Sequence, residues 1–224
     1  MSRQKTKIIE EPFLMELIKA IVLSDESRVA KLLAAHPHLA CLWLRVDAVR
    51  GQQNTHFFDE IQHQLYIGDT PLHAAAAAFN LSIAAALLKI GANVSAKNRR
   101  GAEALHYASD SGPMKQTWNA EAQEKMIDFL IAAGANPNAV DKGGVSPLHR
   151  AVRTRSSNAV RALLAAGADP RSKNNNGSTA LHLAVQNSGK SGSGSPESKV
   201  QQEIIIDLLL EFGANPENKD ITER

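Results

Sequence analysis

Apolar residues recur at three- and four-residue intervals over most of the chain, in short stretches that come in pairs. Phe13, Leu14, Leu17, Ile18, Ile21 and Val22 keep helical spacing, and after Ser24-Asp25-Glu26 the pattern resumes at Val29, Leu32 and Leu33. His36-Pro37 closes the second stretch, because proline disfavours the helical conformation in the residue before it. Residues 1–9 read as a ragged basic tail. Between Cys41 and Ile67 the period changes: Leu42, Leu44 and Val46 alternate with polar or outward residues. Arg50-Gly51-Gln52-Gln53-Asn54 then reads as a turn before Phe57 to Ile67, which predicts a two-stranded hairpin. From Gly68 the helical pairs return. Gly68-Asp69 forms a turn, Thr70-Pro71-Leu72-His73 opens an alanine-rich helix, a second helix ends at Leu87-Leu88, and Gly91-Ala92 stops it.

Every later part of the chain copies this unit. His73 and His106 are 33 residues apart, as are His149 and His182, and Gly134 and Gly167. His106 to His149 and Gly91 to Gly134 both span 43, so about ten residues are inserted in one unit, and about 13 more lie between His182 and Gly213. The corresponding segments are Thr70-Pro71-Leu72-His73, Ala104-Leu105-His106, Ser146-Pro147-Leu148-His149 and Thr179-Ala180-Leu181-His182. Their stops are Gly91-Ala92, Gly134-Ala135, Gly167-Ala168 and Gly213-Ala214. The period and the T-P-L-H-x-A signature resemble the ankyrin repeat. The resemblance implies an all-α ankyrin-repeat solenoid with β-hairpin-like fingers, occupying 1–224 as a single domain. It places a degenerate N-terminal capping repeat at 10–40, an extended finger at 41–67, and repeats at 68–100, 101–143, 144–176 and 177–220. A terminal repeat meets water on one face and is expected to be atypical.

Composition adds little that the repeat does not already say. Charged residues are 21% and apolar ones 43%, an ordinary soluble balance, and the net charge of +2 points to no particular partner. Cys41 is the only cysteine, which excludes an intramolecular disulfide and a cysteine metal cluster and fits a reducing compartment. Glu10, Glu11, Pro12, Glu16 and Lys19 interrupt the first apolar run, so it reads as neither a signal peptide nor a membrane span. The expectation is a cytoplasmic protein without a membrane partner.

The four periodic histidines do not predict a metal site. Ligands must converge within about 2 Å of one ion, whereas equivalent atoms of packed repeats stand roughly 10 Å apart. The residue types predict instead that each imidazole bonds backbone and the threonine or serine three residues earlier, with Ala104 and Ala180 breaking the motif in part. Ala184 to Ser191 nearly spells a phosphate-binding loop, but a helix precedes it and a Gly/Ser linker follows, where that chemistry needs a strand and then a helix. No nucleophile–base pattern stands out, so the expectation is no enzyme, no cofactor and no metal.

The resemblance also implies where a partner binds: on a concave face made of finger tips and first-helix ends. By position, that face holds Lys97, Arg99, Arg100, Asp110, Lys142, Arg150, Arg153, Lys173, Asn175 and Gln186, and its middle is basic. The function implied is protein recognition, with an acidic segment as the candidate ligand. The alternatives are a nucleic-acid binder using the basic groove, disfavoured because Tyr107 is its one stacking ring, and a nucleotide-responsive protein using the Gly189-Lys190-Ser191 loop. Solvated lysines and arginines that merely keep the surface soluble give the same pattern. Trp43, Phe57, Phe58 and Tyr66 gather the aromatic residues in the extended finger, either as a contact surface or as a cover for the first full repeat. The inserts at 113–122 and 188–199 are expected to be dispensable for folding. Ile204 falls where Ser82, Lys125 and Asn158 stand in other repeats, which predicts a monomer or weak self-association through the last repeat.

Overall fold

The computed structural model describes residues 2–45, 57–113, 115–116, 118–186 and 196–217, with the side chains of 2–11 and of Glu197 left aside. Among the described residues ten α-helices run α1 Ser2–Val22, α2 Glu26–Ala35, α3 Pro71–Ala77, α4 Leu81–Lys89, α5 Ala104–Ala108, α6 Ala120–Ala132, α7 Pro147–Arg153, α8 Ser157–Ala165, α9 Ala180–Val185 and α10 Pro196–Glu211. The α1 backbone is helical from Ser2, so the stretch that reads as a ragged tail is the start of a helix, with Pro12 inside it. α10 begins at Pro196, inside the interval 188–199 that composition assigned to the second insert. Residues 187–195, including Gly189-Lys190-Ser191, lie outside the described residues.

The chain forms two compact units, one up to Ala104 and one from Leu105. In the first, α1 packs on α2 and α3, and α3 on α4. Leu17, Ile18, Ile21, Leu72 and Leu87 are fully enclosed there, and each such side chain stabilises the fold by about 1.5–3 kcal/mol relative to exposure. Every residue of α3 is buried. Ala74, Ala75 and Ala76 are small enough to let neighbours close on all sides, which is why this helix shows no amphipathic period. Phe13, the first of the apolar run, stays partly exposed and lies against His36, ring centroids 4.7 Å apart. In the second unit α7 packs on α8 and α9, α8 on α6, and α10 on both α8 and α9.

The hairpin sits later than the sequence places it. β1 (Phe57–Phe58) pairs antiparallel with β2 (His63–Gln64), turning through Asp59 to Gln62. Residues 46–56, and with them the expected turn at 50–54, lie outside the described residues. The alternating stretch before them does meet a partner: Leu44 N–H donates to the Asp69 carbonyl, and Gly68 N–H donates to the Leu44 carbonyl, both at 2.8 Å. Leu44 is buried and Trp43 points outward, as the alternation requires.

Candidate partner-binding surface

Three of the four full repeats open with a capped helix. Thr70, Ser146 and Thr179 cap α3, α7 and α9, and the imidazole three residues on reaches back to the cap's N–H. The other ring nitrogen carries the contact forward. His73 Nε2 meets the Ala102 carbonyl at 3.1 Å, His106 Nε2 the Val145 carbonyl at 3.1 Å, and His149 Nε2 the Ser178 carbonyl at 3.2 Å. The expected bonds to backbone and to the threonine or serine are present, and the second backbone partner lies in the following finger.

The fingers are built alike. Asn98, Asp141 and Asn174 each use Oδ1 to accept two backbone N–H groups: Arg100 and Ala102 at 2.8 and 3.0 Å, Gly143 and Val145 at 2.8 and 3.0 Å, Asn176 and Ser178 at 2.9 and 3.1 Å. Such side-chain-closed turns favour Asn and Asp. Gly144, at the third position after Asp141, has φ +70. A Cβ there would also stand 2.9 Å from the Asn175 nitrogen, so both conformation and space demand glycine. That approach has a purpose in the second unit: Asn175 N–H donates to the Gly143 carbonyl at 2.9 Å and its amide to the Lys142 carbonyl at 3.0 Å, locking two fingers side by side. In the first unit Arg99 N–H makes the corresponding bond to the Ile67 carbonyl at 2.8 Å.

These turns place the expected site residues. Lys97, Arg99 and Arg100 surround Asn98 and are exposed, as are Lys142 beside Asp141 and Lys173 and Asn175 beside Asn174. Lys97 Nζ stands 3.7 Å from a carboxylate oxygen of buried Glu103, and the Arg100 guanidinium lies 4.9 Å over the Tyr66 ring. Burial pushes the Glu103 carboxyl above its ordinary range, and Lys97 offsets this only in part. Gln186 is exposed, and its carbonyl accepts from Arg155 at 3.4 Å.

Arg150 is the exception. Positional reasoning put it on the face, yet it is only 9% exposed. Its guanidinium is held between Asp110 and Asp141 at 3.2 and 3.1 Å, so it braces a helix end against a finger. Burial raises the Asp141 carboxyl, but N–H bonds from Val145 and Gly143 and the Arg150 guanidinium outweigh it and hold the group below its usual range. Asp110 also takes Arg153 at 3.4 Å, while the Arg153 side chain remains 59% exposed. Lys115 Nζ donates to the Asp110 carbonyl at 2.9 Å. Burial lowers its pKa against the opposing pull of Asp110. The acidic groups of this region are therefore engaged by internal cations, while Arg153, Lys142 and Lys173 reach solvent.

The first insert packs back onto the repeat. Asn119 caps α6 through the Ala122 N–H at 3.0 Å, and Trp118 Nε1 donates to Gln123 Oε1 at 2.7 Å. The helix before it ends at Ala108, ahead of Pro113. In the aromatic finger Phe58 and Tyr66 are half-buried, whereas Trp43 and Phe57 are 48% and 43% exposed. Among the described residues there is no cluster of three or more metal-ligating side chains, and no helix is long and apolar enough to cross a membrane.

Helix pairs joined by fingers with positive-φ glycines define a helical repeat protein. Models of the ankyrin repeat match residues 67–99 once and 117–220 in three copies, and the chain belongs to the ankyrin repeat family. Among curated proteins it is similar to the E3 ubiquitin-protein ligase KEG of Arabidopsis thaliana, 35% identical over 121 residues. That match takes in 51% of this chain and 6% of the ligase.

Proposed function

We propose that the chain is a non-enzymatic protein-interaction module that takes an acidic segment of its partner on the finger tips and helix ends. One observation carries the reading. In the second unit Arg150 engages Asp110 and Asp141 internally, while Arg153, which also meets Asp110 at 3.4 Å, Lys142 and Lys173 are exposed cations on elements that backbone bonds hold in register. A surface of one sign concentrates oppositely charged ligands and speeds their encounter. Lys97, Arg99 and Arg100 offer the same chemistry in the first unit. Family membership supports a protein partner, and action in the cytoplasm belongs to the same proposal.

Reversing Lys142, Arg153 and Lys173 to Glu tests it. Capture of partners from cell extract should be lost in the triple variant, and wild-type capture should weaken as salt rises. The melting temperature should barely move, because exposed charges contribute little to stability. Retrieval of the same partners by the triple variant would reduce the basic surface to a solvated one, and salt-dependent retention of RNA in place of protein would transfer it to nucleic acid.

A further inference from the structure

The first unit contains a cleft of about 360 Å³ that the finger face does not account for. Its lining includes Ala40, Cys41, Trp43, Gly68, Gly91 and Lys97. A volume of this size suits a ligand group a few side chains large. Gly68 and Gly91 have φ of +88 and +99, a backbone conformation that a larger residue adopts only with strain, so these two lining positions stay without side chains. The exposed half of the Trp43 ring gives it a broad apolar wall, and the Arg45 guanidinium lies 5.5 Å from that ring. Lys97 is the one ionised side chain among the lining residues, 56% exposed. The neighbouring acids are turned inward: Glu103 is buried, and the enclosed Asp69 carboxylate accepts from the Tyr66 N–H at 2.6 Å and the Asn98 amide at 2.8 Å. The mouth thus presents an indole face and accessible cations.

We propose that this cleft is a second docking site, which takes one large apolar side chain of a protein segment with an acidic residue next to it. The apolar group lies against Trp43, where stacking and loss of hydrated area favour it. The adjacent carboxylate meets Lys97 at the rim, so a basic residue in its place is repelled. The site shares only Lys97 with the finger face and does not depend on it.

Cys41 supplies the test, because it is the only cysteine of the 224 residues. It is exposed, and its thiol donates to the Gly91 carbonyl at 3.2 Å on the cleft's edge. The full chain is equilibrated under graded reductant with three acetylated peptides, each activated as a mixed disulfide. Their sequences are cysteine-glycine-phenylalanine-glutamate, the same with lysine last, and the same with glycine for phenylalanine. The Cys41 thiolate attacks the activated disulfide, forms the Cys41–peptide bond and expels the small thiol with the electron pair, and intact mass reads the extent. The phenylalanine-glutamate peptide should withstand about fivefold more reductant than either control. Trp43→Ala should bring it down to the level of the glycine peptide, and Lys97→Glu should invert the glutamate-over-lysine preference. Trp43 is about half exposed, so Trp43→Ala should melt like wild type, with Trp43→His in its place if it does not. Lys97→Glu also sets a second carboxylate beside buried Glu103; if its melt falls, Lys97→Gln replaces it and should abolish the glutamate-over-lysine preference. The triple finger variant should keep the wild-type preference even if it loses partner capture. Equal retention of all three peptides, or a preference untouched in the Trp43 and Lys97 variants, overturns the proposal and leaves Cys41 as an accessible thiol alone.

Discussion

His149 Nε2 lies 3.2 Å from the carbonyl oxygen of Ser178, one repeat further on, while its Nδ1 accepts the Ser146 N–H at 3.2 Å. With Nδ1 accepting, the proton sits on Nε2, and the neutral ring joins the cap of one helix to the finger of the next. The site requires that neutral form, since protonated imidazole has no acceptor left for the Ser146 N–H.

Acid should therefore loosen this junction. Burial lowers the His149 pKa below 6.5, against the smaller opposing effects of Ser178, Ser172 and Asp141. Below about 6.5 the unfolded chain takes up a proton before the folded one does. The stabilisation is thus complete above that pH and is lost as pH falls toward the folded value. Thermal melts between pH 7.5 and 5 should show wild-type stability falling, with a shallower fall in His149→Gln. At pH 7.5 the variant should be less stable by roughly 2–3 kcal/mol, having lost buried hydrogen bonds. Parallel pH profiles would remove His149 as the responsible group.

Gln123 should prove as important as a core leucine. It is fully buried; its amide donates to the Ala108 and Ser111 carbonyls at 2.9 and 3.0 Å, and its Oε1 accepts from Trp118 and Ser156, both at 2.7 Å. Gln123→Leu keeps the volume but strands these four groups, a cost of about 3 kcal/mol or more. Gly112→Ala tests the same region, because its Cβ would fall 1.8 Å from the Thr154 carbonyl oxygen. Both variants should lower the denaturant midpoint clearly. A midpoint unchanged in both would show that these contacts add nothing measurable to the fold.

Glu103 stands where the other repeats have Thr70, Ser146 and Thr179. A carboxylate buried there carries a desolvation cost that a threonine hydroxyl avoids while still able to cap α5. Glu103→Thr should raise stability at neutral pH by on the order of 1 kcal/mol. Since burial raises the folded pKa of Glu103 above 4.5, the advantage should shrink as pH falls toward that value. A gain independent of pH would assign it to some other cause.

Ser24, Phe79 and Arg155 each precede the cap of a second helix, with φ of +55, +53 and +59. A side chain in that left-handed region costs roughly 1–2 kcal/mol. Arg155→Gly should relieve it, and part of the gain is offset by the lost 3.4 Å contact to the Gln186 carbonyl. A modest rise in melting temperature is expected, and a fall would show that the arginine contacts outweigh the strain.

Among the described residues of the last repeat the exposed large apolar groups are Val185, Val200, Leu210 and Phe212, while Ile204 itself is half-buried. Any self-association should accordingly respond to Val200→Lys. Sedimentation at rising concentration should show a weak concentration dependence that the substitution abolishes; a wild type that sediments as an ideal monomer would dismiss it.

The repeat was legible from sequence because its requirements are local. A finger glycine answers to its own φ, a stop glycine to the end of its own helix, and the threonine–histidine pair to a spacing of three residues. Those needs recur at a period of 33 whatever the rest of the chain does. The finger cations Lys97, Arg99, Arg100, Lys142 and Lys173 could likewise be placed by position, since each flanks a turn that closes on its own side chain. Tertiary structure decided which charges face inward. Arg150 and Arg153 are three residues apart on one helix, yet the first is enclosed because Asp110, 40 residues earlier, and Asp141 come to bracket it. Gln123 gave no sequence signal either, as its four partners come from three separate segments. Nor did the cleft, whose lining residues Trp43, Gly68 and Gly91 meet only when the chain between them has folded. Local geometry fixes the repeat, whereas the environment of a polar side chain depends on groups that only packing brings near.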